Sequence, residues 1–269
     1  MLPKKSVLRR LTLRDLESWL AEPLAKGDLE VTVVGDVEAD AVLKSLSTTL
    51  GALPTRAQEK PKFAAVRKLA FPAASKAKTL IFESNMPRAV SAVCWPTAGA
   101  ADVSTYRRLS VLRQILNDRL RVKVREELGA TYTPSVVYYA VDAFPDFGYF
   151  AAQLVVDSAA VPQIGPLVKK VAAELATGPI GNDEFTRAIK PIIDGLDALR
   201  RDNNYWLYAI ADSQERPTVL ADIRSRDAEY RAITKSEVAA LAKRYLNAAD
   251  AVLLSAVPSR SNEAAHQAK

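Results

Sequence analysis

Apolar positions repeat every three or four residues along most of the chain, and in several shorter stretches they alternate with polar positions. The first pattern is typical of a helix with one buried face, and the second is typical of a strand. Capping residues mark two helix starts, Thr12 in the first case and Thr234 with Glu237 in the second. The predicted helices cover residues 12–27, 39–50, 102–128, 161–176, 182–201, 206–211, 220–231 and 238–246. The predicted strands cover residues 29–34, 79–83, 89–95, 131–141, 148–156 and 251–257.

The longest predicted helix, residues 102–128, leads almost directly into a predicted strand rich in Val, Thr and Tyr. Gly129 lies at the junction, where it is suited to end a helix. Arg125 precedes this glycine and Tyr132 follows it. A guanidinium at a helix end and a phenol at a strand start can converge on one extended ligand. The spacing alone fits a solvated helix end and a strand aromatic in the core better than it fits a ligand site.

The chain ends with a helix–strand pattern that repeats the pattern at its beginning. With an offset of 222 residues, Thr12 aligns with Thr234, Asp15 with Glu237 and Leu16 with Val238, without a gap. Such self-similarity indicates two related domains in tandem. Residues 1–51 are therefore predicted to be the helix–strand–helix end of a preceding domain, and 77–258 a complete second domain. Residues 52–76, which contain several prolines, are predicted to be a linker, and 259–269 a disordered tail.

Composition and charge exclude several classes of function. The 269 residues are 49% hydrophobic and 25% charged, as in an ordinary soluble protein, and no apolar run is long enough for a membrane segment. The net charge of +6 is spread among interleaved acids and bases, which argues against nucleic-acid binding. The single histidine, His266, lies in the predicted tail. The sequence therefore offers no two-histidine metal site and no Ser–His or Cys–His pair.

Three passages resemble the insulinase/pitrilysin-type (M16, inverzincin) zinc metallopeptidases. They are LEVTVVGDVEADAVLKSLSTTLGALP, LRQILNDRLRVKVREELGATYTPSV and ITKSEVAALAKRYLNAADAVLLSAV. The second contains the pattern R-x-x-x-G-x-x-Y, formed by Arg125, Gly129 and Tyr132. The resemblance implies an α+β fold: a two-layer open sandwich in which helices pack on one face of a mainly antiparallel sheet. The catalytic H-x-x-E-H motif of the family is missing from this chain.

The chain thus resembles the non-catalytic C-terminal half of such an enzyme. The resemblance implies that Arg125 and Tyr132 bind an extended peptide substrate, with Gly129 forming the turn between them. It places no cofactor in this chain and a zinc ion in a separate catalytic half, which would be the partner. A non-proteolytic scaffold of the same superfamily and a stand-alone peptide-binding module are alternatives. The compartment is left open: the resemblance is compatible with a bacterial periplasmic or cell-envelope location and does not exclude the cytoplasm.

Overall fold

The computed structural model describes residues 3–56, 65–73, 77–129, 132–211, 213–214 and 216–259. The chain divides into two compact units, one formed by Met1–Phe63 with Leu199–Ile223 and the other by Ala64–Ala198 with Arg224–Lys269. The helices are α1 (Lys5–Leu8), α2 (Leu13–Lys26), α3 (Ala39–Thr48), α4 (Val103–Leu128), α5 (Val161–Thr177), α6 (Asn182–Leu199), α7 (Asn203–Ala209), α8 (Val219–Ala232) and α9 (Lys235–Tyr245). The strands are β1 (Lys78–Glu83), β2 (Arg88–Thr97), β3 (Ser135–Ala140), β4 (Gly148–Asp157) and β5 (Val252–Ser259).

The second unit is built on one five-stranded sheet with the order β1-β5-β2-β4-β3. The pairs β5–β2, β2–β4 and β4–β3 are antiparallel, and only the edge pair β1–β5 is parallel. Helices α4, α5 and α9 pack against the sheet and against one another. This arrangement confirms the predicted two-layer α+β fold with a mainly antiparallel sheet.

Side-chain alternation explains why one face of this sheet is covered. In β2 the side chains of Ala89, Ser91, Val93 and Trp95 are buried, whereas the intervening residues at the start of the strand are exposed. In β4 the even-numbered residues are buried in the same way. Because neighbouring side chains on a strand point to opposite faces, the buried set forms one surface under the helices. The other set of side chains points to the opposite face, which we call the open face. It includes Arg88 at the start of β2 and Asp157 at the end of β4.

Helix α4 supplies much of the core. Its stripe of Leu109, Leu112, Leu116 and Leu120 is completely buried, as the helical periodicity predicts. Asp102 caps the first turn by accepting a hydrogen bond from the backbone N–H of Thr105 at 3.0 Å. The helix ends at Leu128, one residue before Gly129, as predicted from the glycine.

The first unit departs from the prediction at residues 29–34, which form no strand. The alternating pattern there is that of a strand, but a strand also needs a hydrogen-bonded neighbour, and no described residue pairs with this stretch. Its Leu29, Val31 and Val33 side chains are exposed. Helices α2 and α3 likewise contain no buried residue. The first unit therefore presents an apolar surface that the described residues leave open.

Several predicted boundaries moved, and some predictions fall outside the described residues. Strand β3 begins at Ser135 rather than at residue 131, which is not described, and β2 runs further in both directions than predicted. Pro191 lies inside α6, which continues past it to Leu199. Parts of the predicted linker (57–64 and 74–76) lie outside the described residues. The same holds for the predicted tail from residue 260 onward, which contains His266.

Candidate functional site

Arg125 lies in the last turn of α4 and is exposed. The two acidic residues that follow it in sequence are paired elsewhere, because the Lys123 ammonium lies 3.3 Å from both Glu126 and Glu127. Among the described residues, Arg125 itself makes no hydrogen bond or ion pair within ordinary distance limits. Its guanidinium group is therefore available to a ligand.

Gly129 follows with φ 91° and ψ 165°, and is the only glycine with positive φ in the described part of the chain. Residues that carry a Cβ rarely adopt this conformation, so glycine is needed here for its backbone freedom. A Cβ at this position would meet no atom within 4 Å, so crowding is not the constraint. Gly129 thus follows α4 in a backbone conformation that only glycine adopts easily.

Tyr132 lies between Gly129 and β3, with its ring packed against the hydrophobic core and its hydroxyl at the surface. The hydroxyl donates a hydrogen bond to Asp157 Oδ2 at 2.7 Å. This bond stabilises the protonated phenol and raises the pKa of Tyr132 above its ordinary value. Tyr132 therefore combines a structural role for its ring with a polar group that a ligand can reach.

Asp157 also pairs with Arg88, whose Nη1 lies 3.6 Å from its Oδ1. The two residues are directly opposite each other where β2 begins and β4 ends, on the open face of the sheet. Sequence reasoning missed both. In the sequence, Arg88 directly precedes one predicted strand and Asp157 directly follows another, and the two carry opposite charges. Their contact depends on how the two strands are paired, which the sequence alone does not give.

The start of β3 is tied to α4 through its main chain. Asn117 Oδ1 accepts from the backbone N–H of Val136 at 3.0 Å, and Arg113 Nη1 donates to the backbone carbonyl of Val136 at 3.3 Å. Because β3 is an edge strand, these side chains occupy polar groups that would otherwise need another partner. The contacts fix the strand four residues after Tyr132.

The described residues do not fit a zinc site. They contain no group of three His, Cys, Asp or Glu side chains placed to hold a metal ion. Within the same residues, no helix combines the length and hydropathy needed to cross a membrane. The described polar groups here are the Arg125 guanidinium and the hydrogen-bonded set of Tyr132, Asp157 and Arg88.

Among known proteins, the chain is similar in sequence to a processing peptidase. The stromal processing peptidase of rice (Oryza sativa) is 22% identical over 255 residues, and the match covers 79% of this chain and 20% of that protein. The chain therefore spans only a fifth of the length of these curated relatives.

Solved structures show the same fold. The peptidase M16 inactive domain from Pseudomonas fluorescens superposes with a TM-score of 0.75 at 21% identity, covering 95% of this chain and 60% of that chain. A mutant of the ferredoxin protease FusC, in complex with Arabidopsis ferredoxin, superposes with a TM-score of 0.70 at 16% identity, covering 96% of this chain and 28% of that chain.

The family itself is shown by a sequence model described as "Peptidase M16 inactive domain", which matches residues 10–192. The matched region is more than half of the chain and includes Arg125, Gly129 and Tyr132. The chain belongs to the M16 peptidase family, as an inactive domain of the C-terminal type.

Proposed function

We propose that this chain is the non-catalytic half, or partner subunit, of a zinc metallopeptidase, and that it binds and positions an extended peptide for cleavage in the other half. The observation that supports this most is the exposed, unpaired guanidinium of Arg125 at the end of α4, connected through Gly129 to Tyr132. A cation left without a partner in the described protein is available to a ligand. The family match covers this stretch.

The chemistry of Arg125 suits a peptide backbone. A guanidinium carries five N–H donors in a planar fork and no acceptor, so it can bind a peptide carbonyl or an oxyanion that develops from one. Such donors matter most when they reach a charge that forms only during the reaction. The role proposed for Arg125 is therefore to hold the substrate carbonyl and support the transition state.

The proposal also assigns the partner and the domain organisation. Residues 1–51 would be the end of a preceding domain, residues 52–76 a linker and residues 77–258 the second domain. The support is the apolar surface of the first unit, where α2 has no buried residue and residues 29–34 have no strand partner. The repeated pattern at 251–257 does form a strand, β5, with a neighbour on each side. The catalytic half would supply equivalent neighbours for residues 29–34.

The test is peptide cleavage by the enzyme assembled from both halves. Arg125→Ala should lower kcat/KM roughly a hundredfold or more, the scale of a lost oxyanion donor. Arg121→Ala is the matched control, because Arg121 is an exposed arginine on the same helix, paired with Asp118 at 3.5 Å. Unchanged cleavage with Arg125→Ala would contradict the proposed role of Arg125, whereas a lack of cleavage by the assembled wild-type protein would favour a non-proteolytic scaffold.

A further inference from the structure

Strand β3 is an edge of the sheet. In the described part of the chain it has β4 on one side and no strand on the other. Successive residues of a strand direct their N–H and C=O groups alternately to the two sides. The main chain of Val136 bonds to side chains of α4 rather than to β4, so Val136, Tyr138 and Ala140 direct these groups outward. Such an outward row is a template on which another strand can pair.

Two side chains of α4 close this edge at Val136. Asn117 Oδ1 accepts from the Val136 N–H at 3.0 Å, and Arg113 Nη1 donates to the Val136 carbonyl at 3.3 Å. Arg113 and Asn117 are four residues apart, so they project from the same face of the helix. Both are half-buried, and Arg113 Nη2 also donates to Gln114 Oε1 at 3.0 Å. Both outward groups of one edge residue therefore have partners within the chain.

We propose that Arg113 and Asn117 guard the β3 edge against strand addition, and that the strand they exclude is β3 of a second copy of this chain. Two identical edges can pair antiparallel about a twofold axis. With Tyr138 on the axis, Val136 of one copy lies opposite Ala140 of the other. All three outward residues of each strand then take part, which gives about six main-chain hydrogen bonds.

The side chains of β3 make this pairing self-complementary. In the same register, Val137 of one copy lies opposite Tyr139 of the other, and this contact occurs twice. Both side chains lie on the open face of the sheet, where Val137 is 40% exposed and Tyr139 is 39% exposed. An aromatic residue opposite a β-branched residue is a favourable cross-strand pair. A second copy is therefore a partner that an unguarded β3 edge would fit.

The guard acts on the main chain rather than on these side chains. While Val136 is held by α4, its N–H and C=O are not available to Ala140 of another copy. Only Tyr138 keeps outward groups that can meet their counterparts, so the pairing shrinks to about two hydrogen bonds. Each net hydrogen bond that is lost weakens association by roughly twofold to tenfold. Arg113 and Asn117 therefore disfavour edge-to-edge association of the chain.

The experiment measures self-association of the full chain by sedimentation equilibrium. The double variant Arg113→Ala/Asn117→Ala should raise the association constant about tenfold or more over the wild type, because about four hydrogen bonds become possible. In this variant, hydrogen exchange of the Tyr138 and Ala140 amides should slow as the protein concentration rises. The other edge strand, β1, is identical in both proteins, so the difference reports on β3.

Three further variants separate the edge from a general loss of stability. Arg119→Ala removes another half-buried arginine of α4, which bonds to Glu184 at 2.6 Å, and should leave the association constant unchanged. Asn117→Asp keeps an acceptor for the Val136 N–H and should behave as the wild type. Ala140→Pro, added to the double variant, removes an outward N–H and should reverse most of the gain. Proline is tolerated at such a position of an edge strand.

The proposal is overturned if the double variant and the wild type associate equally. It is also overturned if Arg119→Ala associates as strongly as the double variant, or if Ala140→Pro leaves the gain intact. Should circular dichroism show that the double variant is unfolded, Arg113→Ala and Asn117→Ala alone take its place. Each frees one group of Val136 and should raise the association constant about twofold or more. Unchanged association of both single variants overturns the proposal as well.

Discussion

Gly129 and Gly195 differ in backbone conformation although both have open space where a Cβ would stand. Gly129 has φ 91°, whereas Gly195 lies inside α6 without a positive φ. Comparing the two glycines therefore separates the energetic cost of a strained backbone conformation from the cost of steric crowding. At Gly129 a side chain strains the backbone, while at Gly195 it reduces the freedom of the unfolded chain.

We therefore expect Gly129→Ala to lower the free energy of unfolding by about 1–3 kcal/mol, the cost of a residue held in a sparsely populated backbone region. Gly195→Ala, the matched control, should raise the free energy of unfolding by about 0.5–1 kcal/mol. Urea unfolding of the two variants and the wild type measures both. Equal effects of the two substitutions would contradict a conformational requirement at position 129.

The residues of the candidate site show what sequence reasoning reaches at this scale. Arg125, Gly129 and Tyr132 lie within eight residues of one another, so a local pattern was enough to select them. Asp157 is 25 residues from Tyr132, and Arg88 is further away in the other direction. Their contact depends on the pairing of β2 with β4, which is a non-local property. A local motif could therefore predict Arg125, Gly129 and Tyr132, but not the two residues that orient Tyr132.

At the scale of elements, the start of α9 is tied to α4 by one carboxylate. Glu237 accepts hydrogen bonds from Thr234, in a capping box, and from Arg108 Nη2 at 2.7 Å. The Thr234 backbone N–H is the larger cause, and Arg108 adds to it, so that the pKa of Glu237 falls from its ordinary 4.5 to about 2. The ionised form is thus favoured in the folded state.

This shift predicts a pH dependence of stability. Because the folded-state pKa is lower than the unfolded one, the stabilisation is fully present above pH 4.5 and is lost as the pH falls towards about 2. Glu237→Gln should therefore flatten the dependence of the free energy of unfolding on pH in this window. Glu22→Gln is the control, since Glu22 forms only an exposed pair with Lys26. If Glu237→Gln and the wild type show parallel pH profiles, the capping carboxylate does not contribute in this way.

The contact between α4 and β3 makes a second prediction at this scale. Asn117→Ala removes the acceptor for the backbone N–H of the edge residue Val136. We expect a loss of about 1–2 kcal/mol in the free energy of unfolding, since a half-buried donor is left without its partner. Asn203→Ala, at an exposed position on α7, should change stability by less than about 0.5 kcal/mol. Hydrogen exchange should also show faster exchange of the Val136 amide in Asn117→Ala, and an unchanged rate would contradict protection of this amide by Asn117.

Helices and most strands were predicted well from their local signals, whereas the pairing of the strands could not be predicted from them. Helix α4 has a cap, a long apolar stripe and a terminating glycine, and each signal lies within the helix or beside it. The parallel pairing of β1 with β5 joins residues more than 170 positions apart, and nothing local encodes it. Residues 29–34 have the sequence of a strand and lack a partner, so propensity alone gave a wrong prediction there.

At the scale of the whole molecule, the repeated pattern occurs in two different environments. Both copies begin with a capping box, at Thr12 with Asp15 and at Thr234 with Glu237. In the second copy the helix buries Val238 and Ala242, and the strand is paired on both sides. In the first copy the matching Leu16 is exposed and Leu20 is only half-buried. The difference supports the proposal that the first copy completes a sheet supplied by the catalytic half.

Trp19 in α2 provides the test of that proposal. Its side chain is 72% exposed, whereas Trp95 in β2 is fully buried. Trp19→Gln should therefore change the free energy of unfolding of this chain by less than about 0.5 kcal/mol, as is usual for an exposed position. Trp95→Ala, which empties a core site, should lower the free energy of unfolding by about 3–5 kcal/mol.

In a binding assay with a polypeptide carrying the catalytic half, Trp19→Gln should weaken association at least tenfold, since burying a large aromatic side chain contributes about 1.5–3 kcal/mol. Association at the wild-type level would contradict the assignment of residues 1–51 to a domain shared with the catalytic half, because the apolar stripe of α2 would then have no role in it.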